Sequence, residues 1–273
     1  MFACQRQNWH IHVHMRATFL GTADGHTSAT RQHSGILLQI AESSLQLDCG
    51  APVAQYLKQS KIDPEQPNVL WLSHMHSDHV GQFPMLIQSL WLRARHNPLH
   101  VYAPKQVLHT LQDYLEKCLL FPELIGFPIE WHEVTAKKKF ALGSLTLTPF
   151  STAHLQSLAK FFRKGYPETC FECYGLIIEY GSERIIYSAD IATPKDLRAV
   201  LAKPTRTLIC ELTHFPERSL FEELATCAPI KKTYLTHYPD HLVTKQKQLQ
   251  ALAINCKFNG EVKLMKDGQS IAL

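Results

Sequence analysis

The sequence is poor in the features that mark membrane-bound, secreted and disulfide-rich proteins. No apolar run in its 273 residues approaches the roughly 18 residues that a membrane span needs. The N-terminal stretch from Met1 to Trp9 lacks the apolar core of a secretory signal peptide. The eight cysteines are scattered, and they are too few to hold so long a chain together as a disulfide scaffold. We therefore predict a cytoplasmic protein without membrane segments.

Charge is also modest, with 19% charged residues and a net charge of +4. Such a mildly basic chain permits an anionic substrate but does not require one. The sequence has no internal repeat and no low-complexity linker, so we expect one domain over residues 15–273, preceded by an extension of residues 1–14. In the extension, His10, His12 and His14 alternate with apolar residues. They could bind metal adventitiously, although an exposed face without a function is the interpretation that we favour.

Histidine, by contrast, is abundant, and four metal-binding side chains follow closely after one apolar run. The run from Val69 to Leu72 is short enough for a buried strand, and residues after it would lie where α/β sheets usually hold their active sites. His74 and His76 are two residues apart, so both imidazoles point to the same side of an extended segment. Asp78 and His79 follow where the loop turns, and they can bind a second ion. Zinc, manganese and iron all accept these ligand types.

The pattern His-x-His-x-Asp-His at residues 74–79 resembles the signature of the metallo-β-lactamase superfamily. The resemblance runs from about Met15 to the C-terminus, because the later ligands of that superfamily can be matched in order. It implies an α/β fold in the αββα arrangement, with two mixed β-sheets packed face to face and helices outside. It also implies a binuclear metal site at one edge of the sandwich.

The same resemblance assigns the remaining metal ligands to residues that follow predicted strands. One ion would be held by His74, His76 and His154, the other by Asp78, His79 and His237, while Asp190 and a water or hydroxide would bridge them. We expect two divalent ions, most simply zinc, although manganese and iron also suit such a site. Asp48 matches an aspartate that hydrogen-bonds a ligand histidine in the superfamily. Alternatively, it caps the helix that starts near Pro52.

Several segments resemble the ribonuclease Z-like and phosphodiesterase branch of the superfamily. Phe19-Leu20-Gly21-Thr22 resembles its opening, and residues 258–268 resemble its final hairpin. Cys210 stands where ribonuclease Z proteins have a histidine that assists the scissile phosphate and leaving group. His214 is a candidate to take over that role, and the alternative is a surface histidine in a loop.

One departure from the ribonuclease Z pattern concerns the substrate. Ribonuclease Z proteins insert a long glycine-rich arm, which grips tRNA, between the third histidine and the bridging aspartate. Here the interval from His154 to Asp190 is too short for that arm. The predicted loop from Lys160 to Thr169 begins with a basic and aromatic stretch, a composition that suits phosphate and base contacts. A smaller phosphodiester is therefore easier to defend than full tRNA processing.

These observations predict a binuclear metal-dependent hydrolase with Asp78 and His214 as catalytic residues. The expected substrate is a cyclic nucleotide-like or RNA 3′-end phosphodiester, attacked by a metal-bridging hydroxide. Two dications about 3.5–4 Å apart would lower the pKa of the water towards neutrality. An ester, lactone or thioester hydrolase is the alternative in chemistry, and a non-catalytic binding module is the alternative in class. Homodimers are common in this branch, but nothing in the sequence identifies a dimer face.

Overall fold

The structure, a computed structural model, describes residues 15–273. The predicted extension of residues 1–14, with its alternating histidines, lies outside the described residues. Within residues 15–273, no helix has both the length and the apolar character that crossing a bilayer would require.

Two seven-stranded sheets organise the described part of the chain. The strands are β1 (Met15–Gly21), β2 (Gly35–Ile40), β3 (Ser43–Leu47), β4 (Val69–Trp71), β5 (Leu99–Pro104), β6 (Ile129–Val134), β7 (Phe140–Leu142), β8 (Leu145–Ser151), β9 (Tyr174–Tyr180), β10 (Glu183–Tyr187), β11 (Thr205–Glu211), β12 (Ile230–Thr236), β13 (Glu261–Leu264) and β14 (Gln269–Ala272). The first sheet has the order β14-β1-β2-β3-β4-β5-β6 and the second the order β13-β12-β11-β10-β9-β8-β7. Both are mixed, since β3 to β6 and β10 to β13 pair in parallel while the other pairs are antiparallel.

Helices follow or separate these strands. They are α1 (Val53–Gln59), α2 (Ser77–Val80), α3 (Phe83–Leu92), α4 (Leu108–Lys117), α5 (Pro122–Ile125), α6 (Gln156–Phe162), α7 (Glu217–Leu224) and α8 (Gln246–Asn255), with 3₁₀ turns at Lys105–Val107, Pro194–Leu197, Val200–Ala202 and Asp240–Leu242. A helix such as α3 forms because Leu86, Ile87 and Leu90 lie on one face and are buried together.

Strand periodicity explains the three apolar layers of the protein. Successive side chains on a strand point to opposite faces, so Leu38 packs between the sheets while its neighbour Leu37 packs under α1, α3 and α4. In the second sheet, Ile185 faces the inter-sheet core and Ile186 faces α7 and α8. Because these strands are buried on both sides, they read as continuous apolar runs. The predicted sandwich of two mixed sheets with helices outside is confirmed.

Two local predictions were wrong. The segment from residue 258 to the C-terminus does not form a hairpin, because β13 pairs with β12 in the second sheet and β14 pairs with β1 in the first. The predicted loop from Lys160 begins inside a helix instead, since α6 continues to Phe162. Leu155 and Ala159, four residues apart, pack into the inter-sheet core, and this burial favours a helical turn over a loop.

Candidate metal centre

The predicted ligands lie just beyond the C-terminal ends of strands. β8, β10 and β12 run in the same direction, because β8 and β10 are both antiparallel to β9 and β10 to β12 are parallel. Their ends therefore meet at one edge of the second sheet, which brings His154, Asp190 and His237 together. β4 delivers the 74–79 motif to the same place from the first sheet.

The motif turns into the short helix α2 immediately after His76. Backbone hydrogen bonds hold this turn against the end of β3: Cys49 N donates to His79 O at 2.6 Å, and Ser34 N donates to Asp78 O at 3.1 Å. Gly50 makes this approach possible, since a Cβ there would overlap the carbonyl oxygen of Asp78. The glycine after β3 therefore belongs to the architecture of the site.

One carboxylate oxygen, Asp190 Oδ2, lies at the centre of the site. Five imidazole nitrogens surround it at 3.3–4.0 Å: Nε2 of His237 (3.3 Å), His79 (3.4 Å), His154 (3.6 Å), His74 (3.8 Å) and His214 (4.0 Å). Asp78 Oδ2 lies 3.6 Å from His79 Nε2 and 3.8 Å from His237 Nε2. His76 approaches from the other side, with its Nδ1 3.3 Å from His154 Nε2. All seven predicted ligands are thus brought together.

These separations fit divalent cations better than direct hydrogen bonds. All of them exceed the normal N–H···O range, which ends near 3.2 Å. His74 Nε2, His79 Nε2 and Asp190 Oδ1 are buried and have no hydrogen-bond partner. Leaving three such atoms unpaired is costly, whereas imidazole nitrogen and carboxylate oxygen are the donors that zinc and related ions accept. The donor set therefore fits the expected metal ions.

Two pairs of histidines differ in their pKa. The charge of Asp190 outweighs burial at His79 and His237 and raises their pKa values above the usual range, whereas those of His74 and His154 are lowered. Burial lowers the pKa of His154 to about 4, and burial together with the nearby His79 holds the pKa of His74 well below its usual range. Both are therefore neutral, the form that binds metal. Burial would raise the pKa of Asp190, but His237 and His79 outweigh it and hold that pKa well below normal. This carboxylate is therefore ionised.

Asp48 orients the motif from behind. Its Oδ2 accepts from His79 Nδ1 at 2.8 Å, from Ser73 Oγ at 2.9 Å and from Tyr187 Oη at 2.6 Å, while Oδ1 accepts from Ser73 N at 2.7 Å. These bonds direct His79 Nε2 towards Asp190. The predicted contact with a ligand histidine is confirmed. The alternative, that Asp48 caps α1, is wrong, because α1 begins after Pro52 without a side-chain cap.

Other supporting residues were not found from the sequence. Ser34 Oγ lies 2.9 Å from His237 Nδ1, and Cys173 Sγ lies 3.6 Å from His74 Nδ1. Tyr187, which bonds Asp48, sits in an ordinary apolar strand. No local pattern distinguishes these positions, because each contact joins segments that are far apart along the chain.

His214 lies at the open side of the centre, and only 30% of its side chain is exposed. Its Nδ1 lies 2.7 and 2.9 Å from the two carboxylate oxygens of the buried Glu211, and its ring is 4.5 Å from that of His154. Burial alone would lower the pKa of His214, but the hydrogen bond and charge of Glu211 raise it above the usual value. His214 therefore lies in a loop at the surface, but its ring faces the centre, and a catalytic role stays a prediction.

The backbone around the centre is strained at three non-glycine residues. Asp48, Ala189 and His237 adopt φ angles of 56°, 50° and 48°, in the left-handed region that side chains other than glycine rarely occupy. Ala189 precedes Asp190 directly, so all three positions set the direction of a central side chain. Such strain is maintained where surrounding contacts require it, and it concentrates at functional sites.

Comparisons with known proteins concern the family and the fold of this chain. Residues 15–259 match the model of a family described as anti-Pycsar protein Apyc1. Ribonuclease Z of Methanothermobacter thermautotrophicus is 33% identical over 120 residues, which cover 44% of this chain and 38% of that protein. The match therefore spans well under half the length of that relative.

Two solved structures share the fold along almost the whole chain. The metallo-beta-lactamase fold protein YhfI from Bacillus subtilis has a TM-score of 0.73 at 22% identity, covering 94% of this chain and 98% of YhfI. The short form of human tRNase Z has a TM-score of 0.69 at 18% identity, covering 94% of this chain and 99% of that chain. At these identities the likeness concerns the fold alone.

Proposed function

We propose, from the premise that this chain belongs to the family of the anti-Pycsar protein Apyc1, that it hydrolyses phosphodiesters with the help of two divalent cations. The predicted membership of the ribonuclease Z-like branch of the metallo-β-lactamase superfamily is confirmed. The substrate class that we propose is a cyclic nucleotide-like or RNA 3′-end phosphodiester.

A single observation carries the proposal: five imidazole nitrogens surround one ionised, buried carboxylate oxygen, Asp190 Oδ2. His74, His76 and His154 would hold one cation and Asp78, His79 and His237 the other, with Asp190 between them. Bound there, divalent cations would supply an acidified water as nucleophile and neutralise charge on the phosphate oxygens. Zinc is the simplest choice for this donor set.

Two side chains of the site supply the proton chemistry. Asp78 keeps a partly exposed carboxylate beside His79 and His237, where it can orient the attacking water or accept its proton. His214 holds its proton because Glu211 raises its pKa, and its Nε2 faces the centre 4.0 Å from Asp190. It can therefore bind a phosphate oxygen as a cation and donate the proton to the departing alkoxide.

The segment after His154 favours a phosphodiester that carries a base. Phe161 and Tyr166 expose 75% and 62% of their surface, so both rings are available to stack on a partner. Lys160, Arg163 and Lys164 are exposed beside them. Basic and aromatic side chains together bind phosphate groups and stack on bases. This segment supports a nucleotide rather than a simple acyl ester.

The first test compares two artificial substrates on metal-replete protein. We expect turnover of bis(p-nitrophenyl) phosphate to exceed that of p-nitrophenyl acetate, and elemental analysis to find about two ions per chain. Faster hydrolysis of the acetate would transfer the assignment to ester, lactone or thioester chemistry. Less than one ion per chain together with no turnover would instead indicate a binding module.

A second test separates the two kinds of natural phosphodiester. Purified protein is incubated with 3′,5′-cyclic nucleotides and, separately, with short RNAs that carry a 3′ extension, and products are resolved by chromatography. We expect hydrolysis of at least one class, and the better substrate identifies the class that the protein uses. Failure on both, with bis(p-nitrophenyl) phosphate also resistant, would contradict the proposal.

A further inference from the structure

A second histidine cluster lies on the first sheet, outside the centre described above. β5 and β6 pair in parallel, with His100 directly opposite Glu130 and Tyr102 opposite His132. Side chains two apart on a strand share a face, so all four residues lie on one face of the sheet. His100 is aligned with Val69, the first residue of β4, whereas the 74–79 motif follows the last residue of that strand.

Three potential ligand atoms of this cluster converge on one point. His100 Nδ1 lies 3.1 Å from His132 Nε2 and 3.1 Å from Glu130 Oε2, and His132 Nε2 lies 3.9 Å from the same Glu130 oxygen. The equidistant point in the plane of the three atoms is about 2.0 Å from each, which is the shortest possible distance, and zinc bonds to nitrogen and oxygen are about 2.0–2.2 Å long. The longest of the three separations, between His132 and Glu130, is too great for a hydrogen bond. Hydrogen bonds within the cluster can therefore join His100 to the other two side chains, but they cannot join His132 to Glu130.

Neighbouring groups prepare His132 to act as a ligand. Its ring stacks on Tyr102 at 4.4 Å and 15°, and Tyr102 stacks in turn on Phe140 at 4.5 Å and 11°, which fixes the direction of the imidazole. Burial, with a further contribution from His100, lowers the pKa of His132 against the opposing charge of Glu130. The imidazole is therefore neutral at physiological pH, as a metal ligand must be.

Access and composition indicate the class of ion. The three side chains are 33–48% exposed, and a cleft of about 290 Å³ lined by Tyr102, His132 and Phe140 opens beside them. Water can therefore complete the coordination. Two imidazoles and one carboxylate suit zinc and similar transition metals, whereas calcium and magnesium require more oxygen ligands.

We propose that His100, Glu130 and His132 form an additional site for a zinc-class divalent ion, which fastens the outermost strand β6 to β5. The strand at the edge of a sheet has only one neighbour in that sheet, so a metal link across the β5–β6 pair stabilises the more weakly held strand. The site is separate from the proposed phosphodiesterase centre and does not depend on that function.

The test is a zinc titration of chelator-treated full-length protein against a chromophoric competitor. Wild-type protein is expected to bind one equivalent of zinc more than either His100→Ala or His132→Ala. Each variant loses one imidazole ligand, so its zinc affinity at this site falls about tenfold or more. His109→Ala removes an exposed imidazole from α4 and serves as the matched control, with unchanged stoichiometry. Any binding by residues 1–14 is common to all four proteins and cancels in the comparison. Equal stoichiometry and affinity in all four would overturn the site.

A second measurement holds even if a variant does not fold. Crystals of the wild-type protein grown with zinc should give an anomalous-scattering peak between β5 and β6, in contact with Glu130. Absence of that peak at saturating zinc overturns the proposal.

Turnover of bis(p-nitrophenyl) phosphate by His132→Ala should stay within about twofold of wild type. A loss of turnover in step with the lost zinc equivalent would mean that the two clusters are not independent, and would contradict the separation proposed here.

Discussion

The protein contains two clusters of histidines and carboxylates that differ in burial and origin. The cluster around Asp190 collects side chains from the ends of four strands in both sheets, and its central atoms are buried without partners. The cluster of His100, Glu130 and His132 comes from two adjacent strands and is a third to a half exposed. Bulk water can satisfy the second cluster when no ion is present, whereas the unpaired atoms of the first are shielded from bulk solvent. Burial therefore makes leaving the first cluster without a bound partner more costly than leaving the second without one, and we expect tighter metal binding at the first.

The largest expected effect comes from the centre of the buried cluster. Asp190→Asn keeps the shape but removes the charge that five imidazoles surround, and Asp78→Ala removes the partly exposed carboxylate. We expect both to lower kcat/KM for bis(p-nitrophenyl) phosphate by on the order of a thousandfold. Asp113→Asn, on the exposed face of α4, is the control and should be unaffected. Near-normal rates for both variants would refute the proposed centre.

The contribution of His214 to the rate of hydrolysis should depend on how strongly the leaving group requires a proton. We expect His214→Ala to slow hydrolysis of a natural phosphodiester, which expels an alkoxide, by about a hundredfold. The effect on bis(p-nitrophenyl) phosphate should be only a few-fold, because p-nitrophenolate leaves as a stable anion. Equal losses on both substrates would assign His214 to phosphate binding instead of proton donation.

The pH dependence of the rate is an independent test of proton donation by His214. Glu211 raises the pKa of His214, so the acid form persists above pH 6.5, the usual value for histidine. The wild-type rate on a natural phosphodiester should therefore fall as pH rises through that raised pKa. In His214→Ala this alkaline decline should disappear from the pH–rate profile, and its persistence would exclude His214 as the proton donor.

A smaller effect is expected from Asp48, which touches the motif but not the substrate. Asp48→Asn should weaken metal affinity about tenfold to a hundredfold, because His79 loses its charged orienting partner. Excess zinc should restore most of kcat, which distinguishes a positioning residue from a catalytic one. Tyr187→Phe, which removes a single hydrogen bond to the same carboxylate, should show the same trend more weakly. A kcat loss that zinc does not restore would assign Asp48 a more direct role.

The smallest effect concerns the exposed cluster. In chelator-treated protein, His132→Ala should change the free energy of unfolding by less than about 1 kcal/mol, since its side chain is partly exposed. Denaturant unfolding with and without zinc checks this, and the gap between variant and wild type should widen when zinc is added. A large loss without zinc would mean that packing on Tyr102, rather than metal binding, is the main role of His132.

The strand ends, the ligand types and the fold class could be predicted because each depends on local pattern or on a recognisable motif. Apolar runs and one alternating stretch, each followed by a His or Asp, identified β4, β8, β10 and β12. The predicted hairpin at the end of the chain was wrong because turn residues do not reveal which sheet each strand joins. The last turn of α6, from Lys160 to Phe162, was assigned to a loop because its basic and aromatic composition does not show how far the helix continues.

By itself, the sequence determined which side chains can bind metal and that they follow buried strands. Only the tertiary structure decided which of them meet. Asp48 reaches His79 across 31 positions and Tyr187 across 139, and His100 meets His132 only because of the register between β5 and β6. The physical reason is that periodicity reports which face of its own element a residue occupies. Register, sheet order and the close approach at Gly50 depend on packing between segments that are distant in the chain.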